Sequence, residues 1–298
     1  MIDGAGRGRS FGAVMMAAVA VTSLAGCTGA DAAGESGLKD QDAWKMPLDE
    51  FYVYSVELDN YAEQLLTSKC LEQRGYEWPV PWQNTDYPQP KDFNRVGIRL
   101  FTLELATEYG YQFAPPADVE SARLWVEFIE TAEAHFPDSE LDEELVNCRD
   151  EIRAVDEDSN QSFDGVNEIM GLALQADQVA LQSPAVMEAT ERWRECLQPQ
   201  VDFTLPEEPR TEMPPHGADA DWVSVDGHPS VDEIAVAVAD AECRESSGLS
   251  AAAYETEWEE QRKLVDLNRD KLERIRDDAQ DRKAYLLTIV AENAPPAP

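Results

Sequence analysis

The chain has 298 residues, of which 60 are Asp or Glu and 24 are Lys or Arg, and its formal net charge of −36 gives a pI near 4.2. Apolar residues make up 43% of the sequence, which is enough for a packed core and too much for a wholly disordered chain. A surface this negative repels phosphates, so the composition excludes a nucleic-acid-binding protein and a protein that rests electrostatically on anionic lipid.

Residues 1–26 are typical of a signal peptide. A short cationic start precedes an apolar run over residues 11–24, which is too short to span a hydrocarbon core of roughly 30 Å with margin. The run ends in Leu-Ala-Gly-Cys at residues 24–27, which resembles the lipobox of bacterial lipoproteins. The resemblance implies that Cys27 carries lipid and becomes the first residue of the mature chain. The alternative is an ordinary secretory signal in which this cysteine occurs by chance.

Residues 27–46 are rich in Ala, Gly, Asp and Ser, and they are predicted to form a flexible tether. Residues 47–198 are predicted to form a helical region, because apolar residues recur there at helical spacing. Its first helix covers Leu48 to Lys69, and the others cover 102–109, 117–134, 139–153, 163–182 and 184–198. No stretch alternates strongly enough to predict a sheet, so the fold class is all-α.

Residues 199–229 contain six prolines and are predicted to form a long crossing loop. Residues 230–293 are predicted to form a helical hairpin that packs on the first region, followed by a tail over 294–298. A capping box, Ser230 to Glu233, opens the first helix of the hairpin, and Gly248 closes it.

The second helix of the hairpin runs from Ser250 to Asn293 without a proline or glycine, a length of about 65 Å. Apolar residues recur in it every seven positions, at Trp258, Val265, Leu272, Ala279 and Leu286. The partner positions are only partly apolar, at Gln261, Asn268, Ile275, Arg282 and Ile289. Only one of the two seam positions of a coiled coil is therefore consistently apolar. This favours a long bundle helix that packs one stripe against helix 48–69. A dimerising coiled coil is the alternative.

Four cysteines remain beyond Cys27, and an even number in an oxidising compartment indicates two disulfides. Cys-Leu followed by Cys-Arg occurs twice, as Cys70 then Cys148 and as Cys196 then Cys243. This faint repeat favours the pairs Cys70–Cys148 and Cys196–Cys243 over the two other pairings. The alternative zinc site lacks a Cys-x-x-Cys motif and a histidine cluster. The fold is therefore expected to be a disulfide-braced helical bundle with a long C-terminal helix.

The motifs that begin at Cys70 (CLEQRGY), Tyr109 (YGY), Trp193 (WREC) and Glu233 (EIAVAVADAECR) resemble a family of exported lipoproteins of high-GC Gram-positive bacteria. With the long terminal helix, the resemblance spans most of the mature chain. It implies a lipoprotein on the outer face of the bacterial cell membrane, and it carries no chemistry that transfers to these residues.

Nine aromatic residues fall within residues 75–113, among several prolines. Trp78, Trp82 and Tyr87 are candidates for a platform that stacks on a wall glycan or binds a partner peptide. The favoured interpretation is a proline-rich loop that its aromatic residues hold against the bundle.

Asp156-x-Asp158-x-Asn160 matches the first three ligand positions of a calcium loop. Gln161 stands where the sharp turn needs glycine, and Asn167 stands where a bidentate Glu closes the loop. A solvated run of acids is therefore favoured, and no metal or other cofactor is expected.

The sequence contains no nucleophile elbow, no His-Glu-x-x-His and no phosphate-binding Gly-Lys-Ser/Thr. We therefore expect a non-catalytic, lipid-anchored envelope protein that acts as an interaction or structural lipoprotein, with the membrane and an envelope protein as its partners. One alternative is a lipoprotein, associated with a transporter or the cell wall, that binds its ligand through the aromatic loop 75–113. Another is an envelope enzyme that uses scattered carboxylates.

Overall fold

The computed structural model describes residues 39–85, 101–112, 118–135, 139–156, 158–215 and 228–298. The signal peptide, Cys27 and most of the tether lie outside these residues. The described residues form an all-α fold, as the sequence predicts. The helices are α1 Val56–Gln73, α2 Leu103–Tyr109, α3 Val119–His135, α4 Ser139–Val155, α5 Asp158–Leu181, α6 Pro184–Leu197, α7 Pro209–Glu212, α8 Val231–Ser247 and α9 Leu249–Asn293.

The long helix α9 is the element on which the others assemble. It packs most extensively against α5, and then against α1 and α6. Its seven-residue stripe is buried along its whole length, from Trp258 to Leu286, so the prediction of a bundle helix is confirmed. The expected partner was helix 48–69, but α5 covers more of the stripe, because Ile169 packs against Val265 and Leu272.

The predicted helix 48–69 begins later and ends later than expected. Residues Asp49–Phe51 form one 3₁₀ turn, and α1 starts at Val56 because the side chain of Ser55 accepts a hydrogen bond from the Leu58 N–H at 3.1 Å. Leu48 and Phe51 are buried, but in a cluster with Ile169, so their apolar spacing belongs to a tertiary contact and not to α1.

The last residues of the predicted tether, 39–46, are folded against the bundle. Residues 39–46 form a tight turn in which Asp40 and Lys45 make a β-bridge. Trp44 and Met46 are buried in the core cluster that contains Tyr254. The Tyr254 hydroxyl accepts from the Asp40 N–H at 2.9 Å and donates to the Lys45 carbonyl at 2.8 Å. Burial of these two large apolar side chains fixes a segment whose composition predicts flexibility.

The described part of the crossing loop, 199–215, is folded onto the bundle. Leu205 and Met213 are buried, and the short helix α7 carries the buried Arg210. The prolines therefore interrupt helices here without producing an unpacked linker.

The capping box at the start of α8 forms only in part. The Ser230 hydroxyl accepts from the Glu233 N–H at 3.1 Å, as expected. The buried Glu233 carboxylate instead accepts from the Tyr111 N–H at 2.9 Å and from the Gln112 side chain at 3.0 Å. Gly110 permits this contact, since a Cβ on it would lie 2.9 Å from the Glu233 Oε1 atom and its φ is +58°.

Both disulfides join the cysteines that the repeat favours. Cys70–Cys148 links α1 to α4, and Cys196–Cys243 links α6 to α8, with Cα–Cα distances of 5.9 and 5.6 Å. The leucine that follows the first cysteine of each pair is fully buried at a helix C-terminus. Both Cys-Leu segments of the sequence repeat therefore lie at helix C-termini.

Mass spectrometry of unreduced digests is expected to show peptides that link Cys70 with Cys148 and Cys196 with Cys243. The first bond closes a loop with a sequence separation of 78, so the double variant Cys70→Ser, Cys148→Ser is expected to lower the free energy of unfolding by about 4 kcal/mol in urea titrations. A peptide that links Cys148 with Cys196 would contradict the repeat.

Candidate functional site

Trp78, the first residue of the predicted aromatic platform, lies in the core. Trp78 is 5% exposed and packs edge to face on Phe128, with ring centroids 5.5 Å apart. Its indole N–H donates to the buried Gln64 side chain at 3.0 Å. Trp82 is half-buried, and Tyr87 lies outside the described residues. Trp78 is thus a core residue that holds its loop against α1 and α3, and it is not available to stack on a glycan.

The three calcium candidates do not lie on one loop, because a helix begins between the first and the second of them. Asp156 precedes α5, whereas Asp158 and Asn160 lie within its first turn, so the backbone cannot wrap around an ion as a calcium loop does. The Asp156 carboxylate accepts from both terminal nitrogens of Arg282, at 2.5 and 2.8 Å. An arginine of the same chain therefore pairs with both oxygens of Asp156, the first of the three weak calcium candidates.

Arg282 forms the centre of a buried ionic cluster. Its side chain is 2% exposed, and besides Asp156 it donates to Asp59 of α1 at 2.7 Å. The Tyr54 hydroxyl donates to the other Asp59 oxygen at 2.6 Å. Burial, and then this hydrogen bond, raise the pKa of Tyr54, while hydrogen bonds to the two aspartates raise the pKa of Arg282 against the effect of burial. The cluster therefore joins α1, α9 and the residue that precedes α5.

A second buried cluster lies at the other end of α9. Arg244 of α8 donates to Asp240 at 2.7 Å and to the Pro209 carbonyl at 2.8 Å. Asp240 is fully buried and also accepts from the Trp193 indole at 2.7 Å and from the Tyr111 hydroxyl at 3.1 Å. Burial, and then the charge of Asp240, raise the pKa of Tyr111 well above its ordinary value, so this hydroxyl remains a donor.

Arg210 forms the adjoining part of this cluster. It donates to Glu257 of α9 at 3.0 Å and lies 2.7 Å from an oxygen of Asp177 of α5. Gln261 donates to the other oxygen of Glu257 at 2.9 Å. Burial raises the pKa of Glu257 although Arg210 lowers it. The cluster thus ties α7 to both long helices.

A cavity of about 20 Å³ separates the two arginines. Because a single water needs about 10 to 15 Å³, the cavity holds one water-sized occupant and no organic substrate. Its lining residues are Trp44, Phe101, Arg210, Arg244, Leu249, Ser250 and Ala253.

A larger cleft of about 290 Å³ opens between α5 and α9. Asp164, Glu168 and Asp278 line it, and Lys271 bonds Glu168 at 2.6 Å. Across the described ranges, no three His, Cys, Asp or Glu side chains are arranged to hold a metal ion. The cleft is an acidic surface groove in a strongly acidic protein.

Every helix that the structure describes is too short or too polar to cross a lipid bilayer. The chain matches no protein-family model, no curated protein and no solved structure. Function is therefore inferred from this chain's own residues.

The buried arginines were not identified from the sequence as functional or structural centres. The sequence does contain a signal for the burial of Arg282. This residue occupies a partner position of the seven-residue stripe in α9, and a charge that is buried there needs a paired carboxylate. Arg244 stands four residues after Asp240, the spacing of a helical ion pair. No comparable signal marks Arg210, whose partners lie more than thirty residues away.

Replacement of Arg282 by methionine is expected to lower the free energy of unfolding by about 3 kcal/mol, because it leaves the carboxylates of Asp59 and Asp156 without their cation. The matched control is Arg269→Met on the exposed face of the same helix, where the side chain is 49% exposed and the expected loss is below about 1 kcal/mol. Urea denaturation measures both values. Equal losses would show that the buried cluster adds no more than a surface ion pair.

Proposed function

We propose that the protein is a lipid-anchored component of the bacterial cell envelope that acts by binding a protein partner. Residues 1–26 supply the export signal, and Cys27 supplies the thiol that is acylated. The two disulfides carry the proposal for the described chain, because each joins separate helices and such bonds persist in an oxidising compartment outside the cytoplasm.

The proposed role is non-catalytic, and the use of the buried ionisable groups supports it. Arg282, Arg244 and Arg210 each bind carboxylates of the same chain, and these pairs hold helices together. The carboxylate with the raised pKa, Glu257, is bonded to Arg210 and Gln261 and does not line the small cavity beside it. Both clusters therefore have a structural role that accounts for their burial.

The exposed apolar stripe of α5, formed by Phe163, Met170 and Leu174, is the proposed interaction face. These side chains are 49%, 55% and 58% exposed and are spaced seven and four residues apart, so they lie on one side of the helix. An exposed row of large apolar side chains on a strongly acidic protein is typical of a contact surface for another helix.

The anchoring proposal predicts that radiolabelled fatty acid enters the wild-type chain in its own host and that Cys27→Ser abolishes the label. The variant is expected in the released fraction or in unprocessed form, because the thiol that carries the lipid is absent. Absence of label from the wild-type chain would contradict the anchor.

The interaction proposal predicts that Met170→Glu with Leu174→Glu abolishes crosslinking from a photoreactive residue at position 163 in native membranes. The control pair, Val126→Glu with Val146→Glu, places charges on valines of similar exposure in α3 and α4. Both pairs should change the free energy of unfolding by less than about 0.5 kcal/mol per site. Equal crosslinking in the two variants would exclude the α5 stripe as the contact, and a crosslinked homodimer would make a second copy the partner.

A further inference from the structure

We infer that the cleft between α5 and α9 is a binding site for a primary ammonium group on an aliphatic chain. The site uses other residues of α5 than the exposed stripe of Phe163, Met170 and Leu174. It therefore does not depend on the proposed function.

The packing of α5 on α9 sets the order of residues along the cleft. Glu168 of α5 bonds Lys271 of α9 at 2.6 Å. Gly165 is about one turn earlier in α5 and lies against Ile275, which is about one turn later in α9. A Cβ on Gly165 would lie 2.9 Å from the Cγ2 atom of Ile275, so the helices approach closely here and the floor of the cleft is apolar.

The other end of the cleft is formed by residues beyond this contact. Asp164 and Ser162 line it from α5, and Asp278 lines it from α9. No basic side chain in the described part of the chain pairs with Asp164 or Asp278. This end therefore carries uncompensated negative charge, whereas the Lys271–Glu168 pair leaves the first end neutral.

The hydroxyl of Ser162 distinguishes this end from an ordinary acidic surface. Ser162 is 8% exposed and lines the cleft, and its hydroxyl has no hydrogen-bond partner among the residues that the structure describes. The hydroxyls of Thr107 and Thr131, by contrast, donate to the carbonyl four residues earlier in their helices. Because buried polar groups are normally paired, this hydroxyl indicates a polar ligand next to the two carboxylates.

Two carboxylates and a hydroxyl match the donors of a primary ammonium group, which has three N–H groups and no acceptor. Charge-assisted hydrogen bonds of this kind are stronger than those between neutral groups. A calcium ion takes about six to eight oxygen ligands, more than this end of the cleft supplies.

The rest of the cleft suits the aliphatic chain. The side chain of Ile275 gives the methylene groups an apolar surface, as the stems of lysine side chains find on proteins. The volume of about 290 Å³ is close to the lower end of the range for small-molecule sites, about 300 to 1,000 Å³. The net charge of −36 also attracts a cation from a distance.

Thermal unfolding of the purified protein in butylammonium chloride and in tetramethylammonium chloride, at equal ionic strength, tests this inference. Both cations carry one charge, but only butylammonium has N–H donors. Butylammonium is expected to raise the melting temperature saturably above its value in tetramethylammonium, because a ligand that binds only the folded state stabilises it. Equal melting temperatures in the two salts would show that the acids act only as a diffuse field, and would overturn the inference.

The variant Asp278→Asn is expected to raise the butylammonium concentration at half-saturation about tenfold, because it removes a charged acceptor. Ser162→Ala should raise it in the same direction by a smaller factor. The matched control is Asp281→Asn, which removes the same charge from an exposed residue about one turn further along α9 that does not line the cleft. Equal shifts in Asp278→Asn and Asp281→Asn would contradict a defined site.

A primary ammonium group occurs on free diamines and on the lysine side chains of other proteins, and a last comparison separates the two sources. Half-saturation is measured by calorimetry for diaminobutane and for an acetylated peptide with a single lysine. Tighter binding of diaminobutane would identify a free amine as the ligand, and tighter binding of the peptide would identify a lysine side chain. Absence of saturable binding for both probes would overturn the inference.

Discussion

Ion pairing across the long helix α9 is the interaction on which the rest of the structure depends. The chain has a net charge of −36, and eight of its 24 basic residues lie between residues 250 and 298. Packing acid-rich helices together costs electrostatic energy through self-repulsion, and this cost falls when cations lie between them. Along α9, Lys271 pairs with Glu168 and Arg282 with Asp59 and Asp156. The apolar stripe of α9 supplies the surface that neighbouring helices bury. The basic residues of α9 allow these acidic helices to approach it.

The two ends of the bundle are fixed in different ways. At one end Arg282 joins α9 to α1 and to the residue before α5, next to the half braced by Cys70–Cys148. At the other end Arg210 and Arg244 join α7, α8, α5 and α9, within the half braced by Cys196–Cys243. A buried ion pair adds little net stability, since several kcal/mol of desolvation oppose it, although removing one partner is costly. We therefore assign the disulfides mainly to stability and the arginine clusters mainly to register.

Patterns of local origin were predictable from the sequence. The seven-residue stripe of α9, the Ser230 cap and the Gly248 stop each depend on neighbouring residues, and all three are present. Aromatic residues among prolines are compatible with an exposed platform and with a buried anchor; the sequence favours the anchor, and Trp78 is buried. Its position is set by Gln64, 14 residues earlier in the chain, and by Phe128 of α3. The packing of Trp44 against Tyr254 and the pairing of Arg210 with Glu257 are likewise long-range contacts without a spacing signal.

A double-mutant cycle between Arg282 and Asp156 tests most directly the claim that buried ion pairs assemble the helices on α9. Free energies of unfolding are measured for wild type, Arg282→Met, Asp156→Asn and the double variant, with the exposed pair Arg269 and Asp266 as the reference cycle. We expect a coupling energy above about 1.5 kcal/mol for the buried pair and below about 0.5 kcal/mol for the exposed pair. A buried-pair coupling no larger than that of the exposed pair would contradict the claim.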